Sequence, residues 1–163
     1  MIKQFIPQEF CLKCQGCCRF NQEDSIWSPC LLDEEIEILL KHGLPPSLIT
    51  PHKKIRVVSF GKENIFICAL FNAEENKCKI YEFRPFECQL YPLLINRKGK
   101  EVFLAVDLKC PFVKENLQQP VFKEYAKDIA DLFHSPQGQS ILSSNPQIIQ
   151  EYSEVMSLSE IKI

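Results

Sequence analysis

Leu90-Tyr91-Pro92-Leu93-Leu94-Ile95-Asn96-Arg97-Lys98-Gly99-Lys100-Glu101-Val102-Phe103-Leu104-Ala105-Val106 reads as a β-hairpin. Two apolar runs, residues 90–95 and 102–106, flank a polar, glycine-containing turn, which is the signature of paired strands. Working upstream, residues 55–60 and 65–70 read as two further strands, joined at Gly61-Lys62-Glu63-Asn64, and a turn over 72–76 leads into a short segment at 77–81. Helical signals lie on both sides. Asp33 is a candidate N-cap, with Glu34 and Glu35 in the first turn, where the helix dipole favours acids. Ile36, Leu39 and Leu40 follow at helical spacing, and His42-Gly43 is a stop. Downstream, Gln119-Pro120 opens a helix whose apolar face is Val121, Phe122, Tyr125, Ile129, Leu132 and Phe133. Asn145-Pro146 is expected to open a last helix bearing Ile148, Ile149, Tyr152 and Met156, with residues 135–146 a loop. The expected fold class is α+β: a small antiparallel sheet with flanking helices, and a cysteine-rich loop region over residues 1–30.

The chain of 163 residues has the size of one domain, so a single domain over 1–163 is expected. Its 45% apolar and 25% charged content is ordinary for a globular protein that builds a core without covalent staples. The net charge is −2 and no basic stripe with interleaved aromatics is present, so nothing points to nucleic acid. No apolar run approaches the ~20 residues of a membrane helix. Met1-Ile2-Lys3-Gln4-Phe5-Ile6-Pro7-Gln8 lacks the features of a secretory signal, which gives the expectation of a cytoplasmic location.

Nine cysteines stand out against this background. In a reducing compartment, cysteine clusters point to metal binding or catalysis. Cys11-Leu12-Lys13-Cys14-Gln15-Gly16-Cys17-Cys18 places four thiols within eight residues. A Cys-x-x-Cys step lets one tight turn aim two sulfurs at a metal about 2.3 Å away, and repeating the step adds a third, as in iron–sulfur proteins. Gly16 eases the turn. Neighbouring side chains point apart, so Cys17 and Cys18 suit different metals or different corners of one cluster. Buried free thiols and a redox Cys-x-x-Cys pair are the competing readings. Four thiols beside Lys13, Gln15 and Arg19 fit no amphipathic pattern, and the additional thiols fit a redox pair poorly.

Cys68, Cys78 and Cys88 recur at ten-residue spacing, and Cys110-Pro111 follows. Cys78 opens Cys78-Lys79-Ile80-Tyr81-Glu82-Phe83-Arg84-Pro85-Phe86-Glu87-Cys88-Gln89-Leu90-Tyr91-Pro92. Together with the upstream Cys-x-x-Cys-x-x-Cys-Cys, this pattern resembles the CxxCxxCC or YkgJ-type cysteine-cluster family, whose domain is described as zinc- or iron-chelating. The resemblance spans residues 11–112. It implies that Cys11, Cys14, Cys17, Cys18, Cys68, Cys78, Cys88 and Cys110 form the chelating set. Cys30 has no counterpart in it. Similar clusters occur in flagellin lysine methylases, a more distant relation.

Eight thiols suit two four-cysteine sites, or one cluster with further cysteines nearby. One partition by spacing sets Cys11, Cys14, Cys17 and Cys110 against Cys18, Cys68, Cys78 and Cys88; others are equally allowed. The cofactor is expected to be zinc or an iron–sulfur cluster. His42, His52 and His134 lie away from the cysteine runs and read as structural. Arg84 is expected to order the Cys78–Cys88 loop by donating to backbone carbonyls. Tyr81, Phe83, Phe86 and Tyr91 are expected to screen the site from water. Electron transfer, redox work or metal handling is the expected role. A structural zinc domain that binds a protein partner, or an accessory iron–sulfur domain of a methylase-like system, are the alternatives. No Ser-His-Asp pattern, phosphate-cradling glycine loop or His-Glu-x-x-His motif names an enzymatic reaction.

Overall fold

The computed structural model describes every residue except Met1, Lys3, Gln15, Lys62 and Glu63. The middle of the expected 61–64 turn, and one position of the first cysteine run, therefore lie outside the described residues. The chain divides into two compact units, one over Pro7–Gln89 and one combining Ile2–Ile6 with Leu90–Ile163.

The first unit opens with helix α1, Gln8–Cys14, in the segment expected to be irregular. Its first turn hangs on the carbonyl of Pro7, which accepts from the amides of Phe10 (3.0 Å) and Cys11 (3.2 Å). Glu9 in the first turn and Lys13 in the last complement the helix dipole. A 3₁₀ turn, Gly16–Cys18, leads into strand β1, Arg19–Phe20. Helix α2, Asp33–Lys41, begins at the expected cap residue itself, so the cap falls one residue earlier than expected: Leu32 is the N-cap, and its amide donates to Glu35 Oε2 at 2.9 Å. Gly43, at φ 85°, closes the far end. Strands β2, Val57–Ser59, and β3, Phe66–Cys68, follow, and β1-β3-β2 form an antiparallel sheet with Arg19 opposite Ile67 and Val57 opposite Cys68. Strands β4, Phe71–Asn72, and β5, Lys77–Cys78, make a separate ribbon, with Phe71 opposite Cys78. A 3₁₀ turn, Tyr81–Phe83, and helix α3, Phe86–Leu90, follow. The core of this unit gathers Phe20, Leu31, Leu39, Ile55, Val57, Ile67, Leu70, Phe71 and Ile80 around Cys68, with Cys18, Trp27 and Cys78 packed against it.

The second unit is built on the expected hairpin, strands β6, Leu93–Lys98, and β7, Glu101–Val106. Helices α4, Pro111–Asn116, α5, Pro120–His134, and α6, Pro136–Ser144, come next. Helix α6 falls where a loop is expected. The Ser135 hydroxyl caps it, accepting from the Gly138 amide at 3.2 Å, and Pro136 fits its first turn. The expected last helix is instead a 3₁₀ turn, Pro146–Ile148, followed by strands β8, Ile149–Gln150, and β9, Met156–Glu160. The sheet order is β8-β6-β7-β9, antiparallel except for β6 with β8. Both edges of the hairpin are thus paired, and the alternation Met156-Ser157-Leu158-Ser159 suits a strand better than a helix. Leu104, Phe133, Phe122 and Ile148 are among the side chains almost completely buried here, each worth about 1.5–3 kcal/mol when taken from water. Phe5 joins this unit by stacking on Tyr125 at 5.2 Å and meeting Phe122 edge-on at 5.4 Å. The fold class is α+β, as expected. No helix among the described residues is long and apolar enough to cross a membrane.

Candidate metal centre

The first unit brings five thiols into one another's electrostatic range. Cys17 and Cys18 come from the 3₁₀ turn, Cys68 from the end of β3, Cys78 from the end of β5, and Cys88 from the middle of α3. The Cys18 thiol is hydrogen-bonded to Cys17 and feels Cys68 and Cys88. Cys68 in turn feels Cys78 and Cys17, and Cys88 feels Cys68, Cys17 and Cys78. Residues some seventy positions apart in sequence meet because the 3₁₀ turn feeds β1, which pairs with β3, while the β4–β5 ribbon directly follows β3.

This crowding governs the chemistry. The hydrogen bond to Cys17, with burial second, pushes Cys18 far above an ordinary thiol. Burial pushes Cys68 up to about 12. Burial likewise raises Cys78, and burial plus the neighbouring thiols carries Cys88 well up. Each thiolate formed opposes the next, so the group cannot ionise together without a cation at its centre. Opposing features favour the anion at particular sulfurs. The amides of Leu70 and Phe71 both donate to the Cys68 sulfur. The Ile80 amide donates to the Cys78 sulfur, and the Arg84 charge lies near it. A neutral thiol needs no such donors; a thiolate bound to a metal is strengthened by them.

Five soft donors in a partly apolar shell fit zinc or an iron–sulfur cluster in kind. Among the described residues, no group of three or more His, Cys, Asp or Glu already stands in an arrangement that could hold a metal ion. The thiols are gathered, and their coordination geometry is not closed.

The other cysteines sit differently. Cys11 and Cys14 lie three residues apart on α1, hence on one side of it. Cys11 is half-buried and Cys14 exposed. The Cys14 sulfur lies 3.6 Å from where a side chain at Gly16 would begin. Cys110 is in the second unit, buried as the N-cap residue of α4. Cys30 is buried, and its amide donates to Glu87 Oε2 at 2.5 Å. None of the nine cysteines forms a disulfide.

Two carboxylates that the motif reading passed over support α3. Glu87 is pushed up to about 8 by burial, with the Cys30 amide and Lys54 opposing. Glu35 reaches from α2 to accept from the Phe86 amide at 2.5 Å, while its other oxygen caps α2. Glu35 read only as a helix-start acid, and its second bond, fifty-one residues away, leaves no local trace. The Arg84 guanidinium lies 4.1 Å over the Tyr81 ring and donates to one backbone carbonyl of its loop, that of Tyr81, at 3.5 Å. The four aromatics do not share one task. Phe83 is exposed and lies against His42, ring centres 5.1 Å apart, and the Tyr91 hydroxyl donates to Asp107 at 3.0 Å within the second unit. His42 and His134 are each committed to a backbone carbonyl, of Ile38 (2.9 Å) and Glu160 (3.1 Å).

A small α+β chain that brings remote cysteines within one another's electrostatic range has the character of a cysteine-cluster domain of the metal-chelating class. A family model confirms this: residues 10–111 match CxxCxxCC, "Putative zinc- or iron-chelating domain". The match covers more than half of the chain, and the chain belongs to that family. No curated protein and no solved structure matches it.

Proposed function

We propose that the first unit holds zinc or an iron–sulfur cluster through Cys17, Cys18, Cys68, Cys78 and Cys88, with Cys11 and Cys14 as further thiols of the same centre. The observation that carries this reading is the convergence of five thiols, two of which receive backbone N–H donors suited to a thiolate. An iron–sulfur cluster would supply one-electron chemistry; zinc would supply a structural crosslink. Proton release accompanies loading, because burial and crowding hold Cys18, Cys68, Cys78 and Cys88 as neutral thiols beforehand. Electron transfer, redox work or metal handling is the role that this donor set suits.

Metal analysis and absorption spectroscopy on anaerobically purified protein test the proposal. Bound iron with visible absorbance is the result expected for a redox role. Protein that takes up neither zinc nor iron, whatever the preparation, overturns it.

One observation favours the structural-zinc reading: Cys68 is part of the core, and Cys18 and Cys78 pack against that core. On that reading, chelation unfolds the first unit, because metal-binding energy is folding energy. A melt unchanged by chelator rejects it.

A further inference from the structure

Helix α1 carries Cys11 and Cys14, and at seven residues it is too short to be stable alone. Its last carbonyls have no partner within the helix. One of them, that of Leu12, accepts from the side-chain amide of Asn76. Leu12 stands between the two cysteines, and Asn76 stands two residues before Cys78.

The Asn76 end of this link is firmly set. The turn between β4 and β5 is pinned by Asn72 Oδ1, which accepts from the amides of Glu74 (3.0 Å) and Glu75 (3.3 Å). Asn76 itself is left-handed, with φ 55°, a conformation that asparagine tolerates better than most residues. Its Oδ1 is buried and has no hydrogen-bond partner among the described residues. Folding rarely leaves a buried amide oxygen in that state, so the side chain is held for what its nitrogen does.

We propose that Asn76 is a positioning residue of the metal centre: its amide clamps α1 to the β4–β5 turn and so delivers Cys11 and Cys14 to the centre that contains Cys78. This rests on the metal-binding reading given above and adds to it the means by which the helical thiols are recruited. The other five thiols are carried by the 3₁₀ turn, the sheet, the ribbon and α3, so loss of the clamp is expected to fall on Cys11 and Cys14.

The test is cysteine-by-cysteine alkylation of the full chain loaded with Zn²⁺, using iodoacetamide and peptide mass spectrometry. Asn76→Asp keeps the shape and the backbone tolerance but removes the donor; Asn76→Gly keeps only the backbone tolerance. In the unsubstituted protein, Zn²⁺ is expected to protect all seven cysteines of the first unit's set. In both variants, Cys11 and Cys14 are expected to alkylate at least tenfold faster while Cys17, Cys18, Cys68, Cys78 and Cys88 remain protected. A merely structural role for Asn76 would expose all seven together, and that result overturns the proposal. So does unchanged protection of Cys11 and Cys14 in both variants. If Zn²⁺ protects only the other five in the unsubstituted protein, the clamp proposal alone fails. If it protects none, the metal-binding reading fails with it.

Discussion

Replacing Glu35 separates its two duties. One carboxylate oxygen accepts from the Leu32 amide at 2.9 Å and caps α2; the other accepts from the Phe86 amide at 2.5 Å and anchors the start of α3, which carries Cys88. Hydrogen bonds to a charged acceptor contribute ~1.5–3 kcal/mol each. Glu35→Ala strands both amides, and relief of the buried carboxylate offsets part of that loss, so a net cost of about 3 kcal/mol is expected. Glu35→Gln retains one acceptor oxygen and turns an NH₂ group toward the other amide, so about half that cost is expected. Burial, set against the two amides, holds the Glu35 carboxyl above its ordinary value. The sign follows: its contribution is fully present below the ordinary carboxylate range and declines as pH rises through the raised value. The gap between the unsubstituted protein and Glu35→Gln is therefore expected to be wider at pH 4 than at pH 7. Urea denaturation monitored by circular dichroism, under reductant and at both pH values, measures all three quantities. Equal costs for Gln and Ala would refute the two-oxygen account, and a gap that widens with rising pH would refute the dominance of burial over the two amides.

Other expectations can be checked one at a time. Gly138→Ala should destabilise the second unit by ~1–3 kcal/mol or more, since the added carbon would fall 2.1 Å from the Leu132 carbonyl oxygen; a melting curve unchanged by the substitution would contradict this close approach of α6 to the end of α5. Tyr91→Phe removes the 3.0 Å donor to the buried Asp107 carboxylate and should cost about 1–2 kcal/mol in the same assay. Cys68→Ser should abolish stoichiometric metal uptake. Cys30→Ser should leave uptake intact while lowering stability by about 1–3 kcal/mol, because a hydroxyl replaces a buried thiol; metal analysis of both purified variants distinguishes the two roles.

The parts of the fold that announce themselves locally are legible in the sequence. The 93–106 hairpin, α2 and α5 each carry their own periodicity and end signals. Helix α6 is not legible as a helix, because its composition is that of a loop and its start depends on the single cap at Ser135. The end of the chain misleads for the opposite reason: Ile148, Ile149, Tyr152 and Met156 space out like a helical face, yet the unpaired edges of β6 and β7 offer backbone partners that an isolated segment lacks. The candidate site divides in the same way. The cysteine motifs name the chemistry, while the meeting of Cys18 with Cys68 and Cys88 depends on the β1–β3 pairing. Asn76 and Glu35 act across dozens of residues, and nothing beside them in the sequence says so.

The separation between Cys18 and Cys88 has a consequence for biosynthesis. Cys88 follows Cys18 by seventy positions, and a ribosome adding roughly 5–20 residues each second needs about 4–14 s to make Cys88 after Cys18. Throughout that interval Cys17 and Cys18 lack Cys88 as a neighbour. On the metal-binding proposal above, an ion met in that interval would find only part of the ligand set. On that proposal, the order of synthesis leaves the centre incomplete until α3 has been made.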